Sequence, residues 1–389
     1  MKTAKTALRG NIVLPEGIYY RGCVSIDGHS ISGIFAQEDA FPKEGYEIID
    51  YGDAYIAPGF LDLHLHGASG SDVMDRRETS LQKIAEHQAK HGVTGFLGST
   101  MSASLGSVLD AIGLIKKTEK ASFPSEILGI HVEGPFLSAV EKGAHQSSFL
   151  RAITEEDCHR LGEAVAGMGS IISLAPEVEN NMDFIPVLKE HGFVVAIGHS
   201  NATYDQTLES IERGVSHATH LYNAMSGFDH REPGVVGAVL DSDDITAELI
   251  ADGVHVHPAA LRLAISRKGL EKICLVTDSM MATGIGDGIY DWGGHEIEVK
   301  GKSAVIKESG ILAGSVLTLN MAVKNLIMWS DLSVDQAVKM ASLNPARVLG
   351  LDKKIGSIQK GKFANLVVLD REFQVLDTIL KGKSVLSRT

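Results

Sequence analysis

Two histidines near the start of the chain, His64 and His66, are spaced so that they could bind one metal ion. They end a short apolar run, and residues two apart in a β-strand point to the same side. Imidazole is a common ligand of zinc and iron. A second pair, His255 and His257, is followed by Pro258, which favours a loop or a helix start. The first pair is therefore the better metal candidate.

Other apolar runs also end in residues that could bind a metal or move a proton. Glu133 precedes a Gly-Pro pair, His199 ends one run and Asp278 ends another. Each has a plainer interpretation: Glu133 as a surface residue in a turn, His199 as a buried structural histidine, Asp278 as a helix cap. His217 and His220 are three apart, so we expect them on opposite faces of a strand. At most one then points inward, and His220, nearer the carboxyl end, is the candidate.

Eight apolar runs must position these side chains. They show little alternation between polar and apolar residues, which is typical of parallel strands covered on both faces. The runs cover residues 59–64, 92–100, 127–133, 171–177, 194–199, 218–222, 245–252 and 273–278. Amphipathic stretches between them predict helices, for example 80–91, 154–167 and 204–214, the last capped by Asp205 or Thr203. This order predicts a (β/α)8 barrel, whose strand ends meet at one rim. A doubly wound sheet is the alternative, because strand order cannot be read from sequence.

Both ends of the chain contain short β-like segments separated by glycines. Examples are 22–26 and 46–50 at the start and 356–370 at the end. Before the final segment, 317–329 and 333–343 predict helices, and Asn344-Pro345 breaks that pattern. We expect the two ends to pair into one small sheet domain beside the barrel.

Composition limits the classes of function. The 389 residues carry a net charge of −13, which argues against binding to nucleic acid or to an anionic membrane. No apolar run approaches the length of a membrane span. The cysteines, Cys23, Cys158 and Cys274, are far apart, so neither a disulfide framework nor a thiolate zinc site is predicted and we expect a cytoplasmic protein. An anionic small substrate remains compatible, since one or two local cations could hold it.

Several motifs resemble those of a known enzyme family. The stretch 58–66 (PGFLDLHLH) and the tail 355–367 are similar to segments of the amidohydrolase superfamily. More specific segments resemble the N-acetylglucosamine-6-phosphate deacetylase family: 131–136 (HVEGPF), 142–145 (KGAH), 198–202 (GHSNA), 217–225 (HATHLYNAM), 231–234 (REPG), 251–255 (ADGVH) and 276–278 (VTD). The resemblance implies an α/β fold, a distorted (β/α)8 TIM-like barrel over 57–349, with a small β-sandwich domain built from 1–56 and 350–389.

The resemblance also implies a metal centre with one or two divalent ions per subunit. Glu133, His199 and His220 would hold the main metal. His64 and His66 would hold a second, with the glutamate bridging. The fourth strand ends at 174–177 (LAPE) without the bridging lysine of many superfamily members, which weakens a dihydroorotase-like or urease-like assignment. Zinc is the first expectation, with iron, manganese and nickel open.

The remaining roles follow from the same resemblance. Asp278 would be the acid/base residue. The residues implied to contact substrate are Ala144, His145, Asn223, Ala224, Arg231, His255, Leu312 and Ala313. Within this set, Asn223 and Ala224 would meet a phosphate, and Arg231 would reach the site of the neighbouring subunit in a homodimer.

The implied reaction is metal-dependent hydrolysis of the acetamide of N-acetyl-D-glucosamine 6-phosphate, giving D-glucosamine 6-phosphate and acetate. Two alternatives stay open. One is a related amidohydrolase that deacylates N-acetylgalactosamine 6-phosphate or an N-acyl amino acid. The other is an inactive scaffold, which should have lost its metal ligands, whereas all five candidates and Asp278 are present.

Overall fold

The computed structural model describes residues 5–37, 41–118 and 121–386, and its chain begins with four strands of one sheet. These strands are β1 (Lys5–Leu14), β2 (Gly17–Asp27), β3 (Ser30–Phe35) and β4 (Tyr46–Pro58). β1 pairs antiparallel with β2 and parallel with β4. The extreme ends of the predicted small domain, 1–4 and 387–389, lie outside the described residues, as do 38–40 within it.

The central sheet follows and is entirely parallel. Ten strands lie in this part of the chain: β5 (Phe60–Leu65), β6 (Gly67–Ala68), β7 (Ser71–Asp72), β8 (Val93–Ser99), β9 (Glu126–Glu133), β10 (Gly169–Leu174), β11 (Val194–Ile197), β12 (Val215–Ala218), β13 (Thr246–Ile250) and β14 (Ile273–Val276). β6 and β7 form a separate antiparallel pair, and the other eight are adjacent in chain order from β5 to β14. Their side chains are mostly buried, because both faces of the sheet are covered.

The sheet closes where its first and last strands meet. The Asp278 N–H donates to the His64 carbonyl at 2.8 Å, and the His66 N–H donates to the Ser279 carbonyl at 2.8 Å. The result is the predicted distorted (β/α)8 barrel, and the doubly wound alternative is wrong.

In the described part of the chain, ten α-helices cover the barrel and its connections. They are α1 (Glu78–Lys90), α2 (Leu105–Lys117), α3 (Glu155–Val165), α4 (Asn181–Glu190), α5 (Tyr204–Arg213), α6 (Gly234–Asp241), α7 (Pro258–Lys268), α8 (Leu319–Trp329), α9 (Val334–Ala341) and α10 (Leu343–Val348). Single 3₁₀ turns occur at Val73–Asp75 and Ser147–Phe149. Within the described ranges, none of the helices combines the length and the apolar character that crossing a bilayer requires.

Six further strands lie between the closure of the barrel and residue 386, the last that the structure describes. β15 (Gly288–Trp292), β16 (His295–Lys300) and β17 (Ser303–Ile306) form an antiparallel sheet that the sequence analysis did not foresee. β18 (Leu366–Leu369), β19 (Val375–Leu380) and β20 (Lys383–Ser384) join the first sheet in the order β20-β19-β18-β4-β1-β2-β3. Both chain ends therefore build one small sheet, as predicted. The domain boundaries 56/57 and 349/350 stay predictions.

Two local predictions were wrong. The sixth barrel strand is Val215–Ala218, not 218–222, because the chain turns sharply before His220, whose φ is 29°. Asn344-Pro345 does not end the helical region. Both residues lie in the first turn of α10, where proline is tolerated because its missing N–H would have no partner in the helix.

Candidate active site

The candidate site lies at the carboxyl ends of the barrel strands, around a cavity of about 450 Å³. β9 ends at Glu133, and His199 follows β11 by two residues. His220 and Asp278 likewise lie two residues beyond β12 and β14. A larger cavity, about 590 Å³, lies at the amino ends of the strands. Its lining includes lysines and a glutamate but no histidine, so it is not the metal candidate.

Glu133 is the centre of the histidine cluster, and its two carboxylate oxygens face different pairs. Its Oε1 lies 3.2 Å from His199 Nε2 and 3.1 Å from His220 Nε2. Its Oε2 lies 3.4 Å from His64 Nε2 and 3.2 Å from His66 Nε2. All five side chains are buried. One carboxylate between two pairs of imidazoles is suited to bridging two cations.

Asp278 completes the side that contains the first histidine pair. Its Oδ1 lies 3.5 Å from His64 Nε2 and 3.3 Å from His66 Nε2. Burial alone would raise the pKa of Asp278, but the two neighbouring imidazoles hold that pKa below its ordinary value. The carboxylate is therefore kept ionised next to the cavity, where it can accept a proton.

The hydrogen bonds of the imidazoles support a metal between them. His199 donates Nδ1–H to the Glu141 carbonyl at 2.8 Å, and the Nδ1 of His64 lies 3.0 Å from the Glu248 carboxylate. In the neutral rings, both Nε2 atoms then carry lone pairs and face the oxygens of Glu133. His64 Nε2 is buried without a hydrogen-bond partner. A divalent cation between these groups would take the place of a proton on Nε2 and bind the lone pairs of the neutral rings.

The spacing of the ring nitrogens also fits a metal. His199 Nε2 and His220 Nε2 are 3.1 Å apart, and two nitrogens bound to one tetrahedral zinc are about 3.3 Å apart. Side-chain ligand atoms converge in three groups. The groups are His64 with His66 and Asp278; Glu133 with His145 and His199; and His64 with His131 and Glu248.

His145 lies close to this centre but is arranged as a hydrogen-bond donor. The backbone N–H of Ser102 donates to its Nδ1 at 3.1 Å, so the ring proton sits on Nε2, which is 3.6 Å from Glu133 Oε2. Burial lowers the pKa of His145 to about 4. The ring is therefore neutral, with its N–H directed into the site.

The predicted substrate-binding residues fall into two groups. Those that line the cavity are Ala144, His145, Asn223, Ala224, His255 and Leu312. His255 lies with its Nδ1 2.6 Å from Asp252 Oδ2; burial opposes its charged form, yet this carboxylate raises its pKa. Ala313 is buried and its N–H bonds the Ala304 carbonyl. Arg231 is exposed and does not line the cavity of its own chain.

Several residues of the site were not predicted from the sequence, among them the three that follow. Glu248 is buried in β13 and accepts from the histidines below the cavity; a charged residue inside an apolar run was its signal. Trp292 lines the cavity from the unforeseen sheet. Lys142 also lines it, and it belongs to the KGAH segment noted above.

Comparison with known proteins agrees with this geometry. The chain matches the protein family described as "Amidohydrolase family" over residues 55–385. The chain belongs to this family.

Relatives of this amidohydrolase are similar over nearly their whole length. It is 36% identical to the N-acetylglucosamine-6-phosphate deacetylase of Bacillus subtilis, covering 95% of this chain and 94% of the relative. It is 36% identical to the N-acetylgalactosamine-6-phosphate deacetylase of Escherichia coli O157:H7, covering 92% and 95%. A solved structure from Mycobacterium smegmatis, an N-acetyl-D-glucosamine-6-phosphate deacetylase variant in complex with N-acetyl-D-glucosamine-6-phosphate, has a TM-score of 0.93 and 31% identity over 99% of this chain and 100% of that one.

Proposed function

We propose that this chain hydrolyses the acetamide of N-acetyl-D-glucosamine 6-phosphate to D-glucosamine 6-phosphate and acetate. The observation that carries the proposal is Glu133, whose two oxygens face two histidine pairs beside the Asp278 carboxylate. The named activities of its relatives, and the sugar phosphate bound in the M. smegmatis structure, support this substrate.

The metal ligands in this proposal are Glu133 and the four histidines around it. His199 and His220 would hold one divalent cation with Glu133, and His64 and His66 would hold a second. Imidazole and carboxylate fit zinc first and also iron, manganese or nickel. Such a cation supplies Lewis acidity, which makes water nucleophilic near neutral pH and polarises the amide carbonyl.

Asp278 moves the protons of the reaction. Its ionised carboxylate takes a proton from the attacking water and then delivers it to the departing amine nitrogen, acting first as a base and then as an acid. The Nε2–H of His145 donates to the acyl oxygen as negative charge develops there. The neutral state of this imidazole, favoured by burial, keeps its Nδ1 available to Ser102.

The sugar phosphate is bound by the remaining lining residues. His255, Asn223 and Ala224 face the cavity and would orient the sugar and its phosphate. Among the lining residues, Lys142 is the single lysine or arginine. Since the chain has a net charge of −13, a further cation would strengthen phosphate binding, and Arg231 of the partner subunit in a homodimer is the proposed source.

The proposal also places the enzyme in the cytoplasm. Cys23, Cys158 and Cys274 are buried free thiols, which suits a reducing compartment.

The test is acetate release by the metal-loaded enzyme from N-acetylglucosamine 6-phosphate, its galacto epimer and the unphosphorylated sugar. We expect the phosphorylated gluco sugar to be the best substrate. Asp278→Asn should lower kcat by about 10²–10⁴-fold while elemental analysis finds unchanged metal content. Asp243→Asn, which alters an exposed surface carboxylate, is the control and should keep full activity.

Each result bears on a separate part of the proposal. No acetate release by the wild-type enzyme would overturn the proposed function, and a higher kcat/KM for the galacto epimer would favour the alternative substrate. A near-normal rate in Asp278→Asn would refute its acid/base role.

A further inference from the structure

The three-stranded sheet β15–β17 packs onto the mouth of the barrel through an apolar cluster. Trp292 and Ile297 of this sheet are buried against Met280, Met101 and Ala144 from the barrel loops. Three members of the cluster, Met101, Ala144 and Trp292, also line the cavity. One apolar wall of the active site is therefore built by an element that lies outside the (β/α)8 repeat.

Trp292 is fixed beside the metal centre. Its ring lies edge-on to the His66 ring with 5.4 Å between the centroids. Its indole N–H donates to Asp72 Oδ2 at 2.7 Å, and Asp72 in turn accepts from the Met74 N–H at 2.7 Å. The side chain is 6% exposed. Because the ring is buried and its polar atom is held by Asp72, this indole forms a rigid wall.

Met101 supports the same wall from the end of β8. Its terminal methyl lies 3.4 Å from the position that a Cβ would occupy on Gly293, the residue after Trp292. The Gln146 side chain donates to the Gly293 carbonyl at 2.8 Å. The loop that follows Trp292 is thus tied to the segment that contains Ala144 and His145.

The reacting amide must lie next to this wall. Its carbonyl carbon has to be within reach of Asp278 and of the His145 N–H at once. Asp278 contacts His66, on which Trp292 packs, and His145 directly follows Ala144. The acyl group has an apolar tail, whereas the sugar has hydroxyls, so the apolar surface beside these two groups suits the acyl tail.

We propose that Trp292, with Met101 and Ala144, forms the pocket for the acyl methyl group and restricts this enzyme to short N-acyl groups. The inference rests on the proposed function, because it assumes that an N-acylated sugar phosphate is the substrate. One additional methylene would press against an indole that cannot move aside. A rigid apolar pocket discriminates against one methylene by about 10–200-fold.

The experiment compares kcat/KM for the N-acetyl and N-propionyl forms of glucosamine 6-phosphate with the metal-loaded enzyme. We expect the wild type to prefer acetyl by at least about tenfold. Trp292→Ala and Met101→Ala should each lower this preference by about tenfold, chiefly by improving the propionyl substrate relative to acetyl. Trp292→Phe retains an aromatic wall and should keep most of the preference.

The matched control is Ile289→Ala in the same sheet. Ile289 is 53% exposed and does not line the cavity, so kcat/KM for both substrates should be unchanged.

Metal content and thermal melting check that each variant is folded. Met101→Ala tests the wall without removing the Trp292–Asp72 hydrogen bond. If wild-type enzyme releases acetate but the acyl preference is unchanged in both alanine variants, this inference is wrong and the proposed function stands. If wild-type enzyme releases no acetate, the proposed function itself fails.

Discussion

Glu248 supports both halves of the proposed metal centre from inside the barrel. Its Oε2 lies 3.0 Å from His64 Nδ1 and 3.0 Å from the backbone nitrogen of His220. Its Oε1 lies 3.1 Å from His217 Nε2. Burial would raise the pKa of Glu248, but the surrounding histidines hold it well below its ordinary value. The ionised carboxylate therefore holds the Nδ1–H of His64 and turns its Nε2 toward Glu133, where this nitrogen could bind a cation.

Replacing Glu248 should weaken metal binding more than it weakens the fold. In Glu248→Leu the ring of His64 loses its acceptor, and we expect affinity for the second equivalent of zinc to fall by about 10–100-fold. Equilibrium dialysis of zinc into metal-free enzyme measures this. Glu248→Gln is the control, because its amide oxygen can still accept from His64 Nδ1. Wild-type zinc affinity in the leucine variant would contradict the positioning role.

The residues around Glu248 show how much of the site can be predicted from the sequence. His64, His66 and Asp278 could be predicted because each ends an apolar run, and strand ends of a barrel converge. Glu248 lies in the middle of β13. A charged residue inside an apolar run was its only signal, and that signal does not distinguish a buried anchor from an error in the strand assignment. The three-residue spacing of His217 and His220 predicted that at most one of them points inward, and His217 was not chosen. Both are buried inside the barrel, because the strand ends between them.

At the level of the elements, the site depends on sharp turns directly after the strands. His199, His220, Ala224 and Asp278 have φ values of 48°, 29°, 48° and 50°. Residues with a Cβ enter this left-handed region at about 1–2 kcal/mol each. Because none of these residues is glycine, the turns were not predicted from the sequence. This explains why helix positions were predicted well while the end of strand six was not.

The cap of α5 stabilises the loop that contains His199. Thr203 accepts from the Gln206 N–H at 3.2 Å, and the Gln206 side chain accepts from the Thr203 N–H at 2.9 Å. We expect Thr203→Ala to lower the free energy of unfolding by about 1 kcal/mol, measured by urea denaturation of the metal-loaded enzyme. Asp205→Ala, at the other position that the sequence offered as a cap, should have a smaller effect. A larger loss in Asp205→Ala would show that the cap is misassigned.

On the scale of the whole molecule, the small sheet joins the two ends of the chain to the barrel. The Gly59 N–H donates to the Asn365 carbonyl at 2.9 Å, just before β5 begins. From β19 of the same sheet, the Thr378 hydroxyl donates to the Ala89 carbonyl of α1 at 2.7 Å. Sequence patterns could predict that the ends pair, because both are β-like. They could not give the strand order, in which β1 lies between β2 and β4, since long-range pairing is not written in any local pattern.

In the proposed homodimer, each active site needs residues from both subunits. Arg231 is exposed outside its own cavity, so a dimer would combine Asp278 of one subunit with Arg231 of the partner subunit in each site. Arg231→Ala should raise KM for the phosphorylated sugar by about tenfold or more, as expected when a charged group bound to phosphate is lost, with little change for the unphosphorylated one.

Asp278→Asn should be nearly inactive. When the two variants are unfolded and refolded together in equal amounts, half of the dimers should be mixed. Each mixed dimer has one site with both Asp278 and Arg231 and one site with neither. About one quarter of all sites in the mixture should therefore be complete. An assay at low substrate concentration, with each variant refolded alone as the control, would detect this recovery. Activity of the mixture equal to the mean of the separate variants would show that Arg231 does not act across subunits.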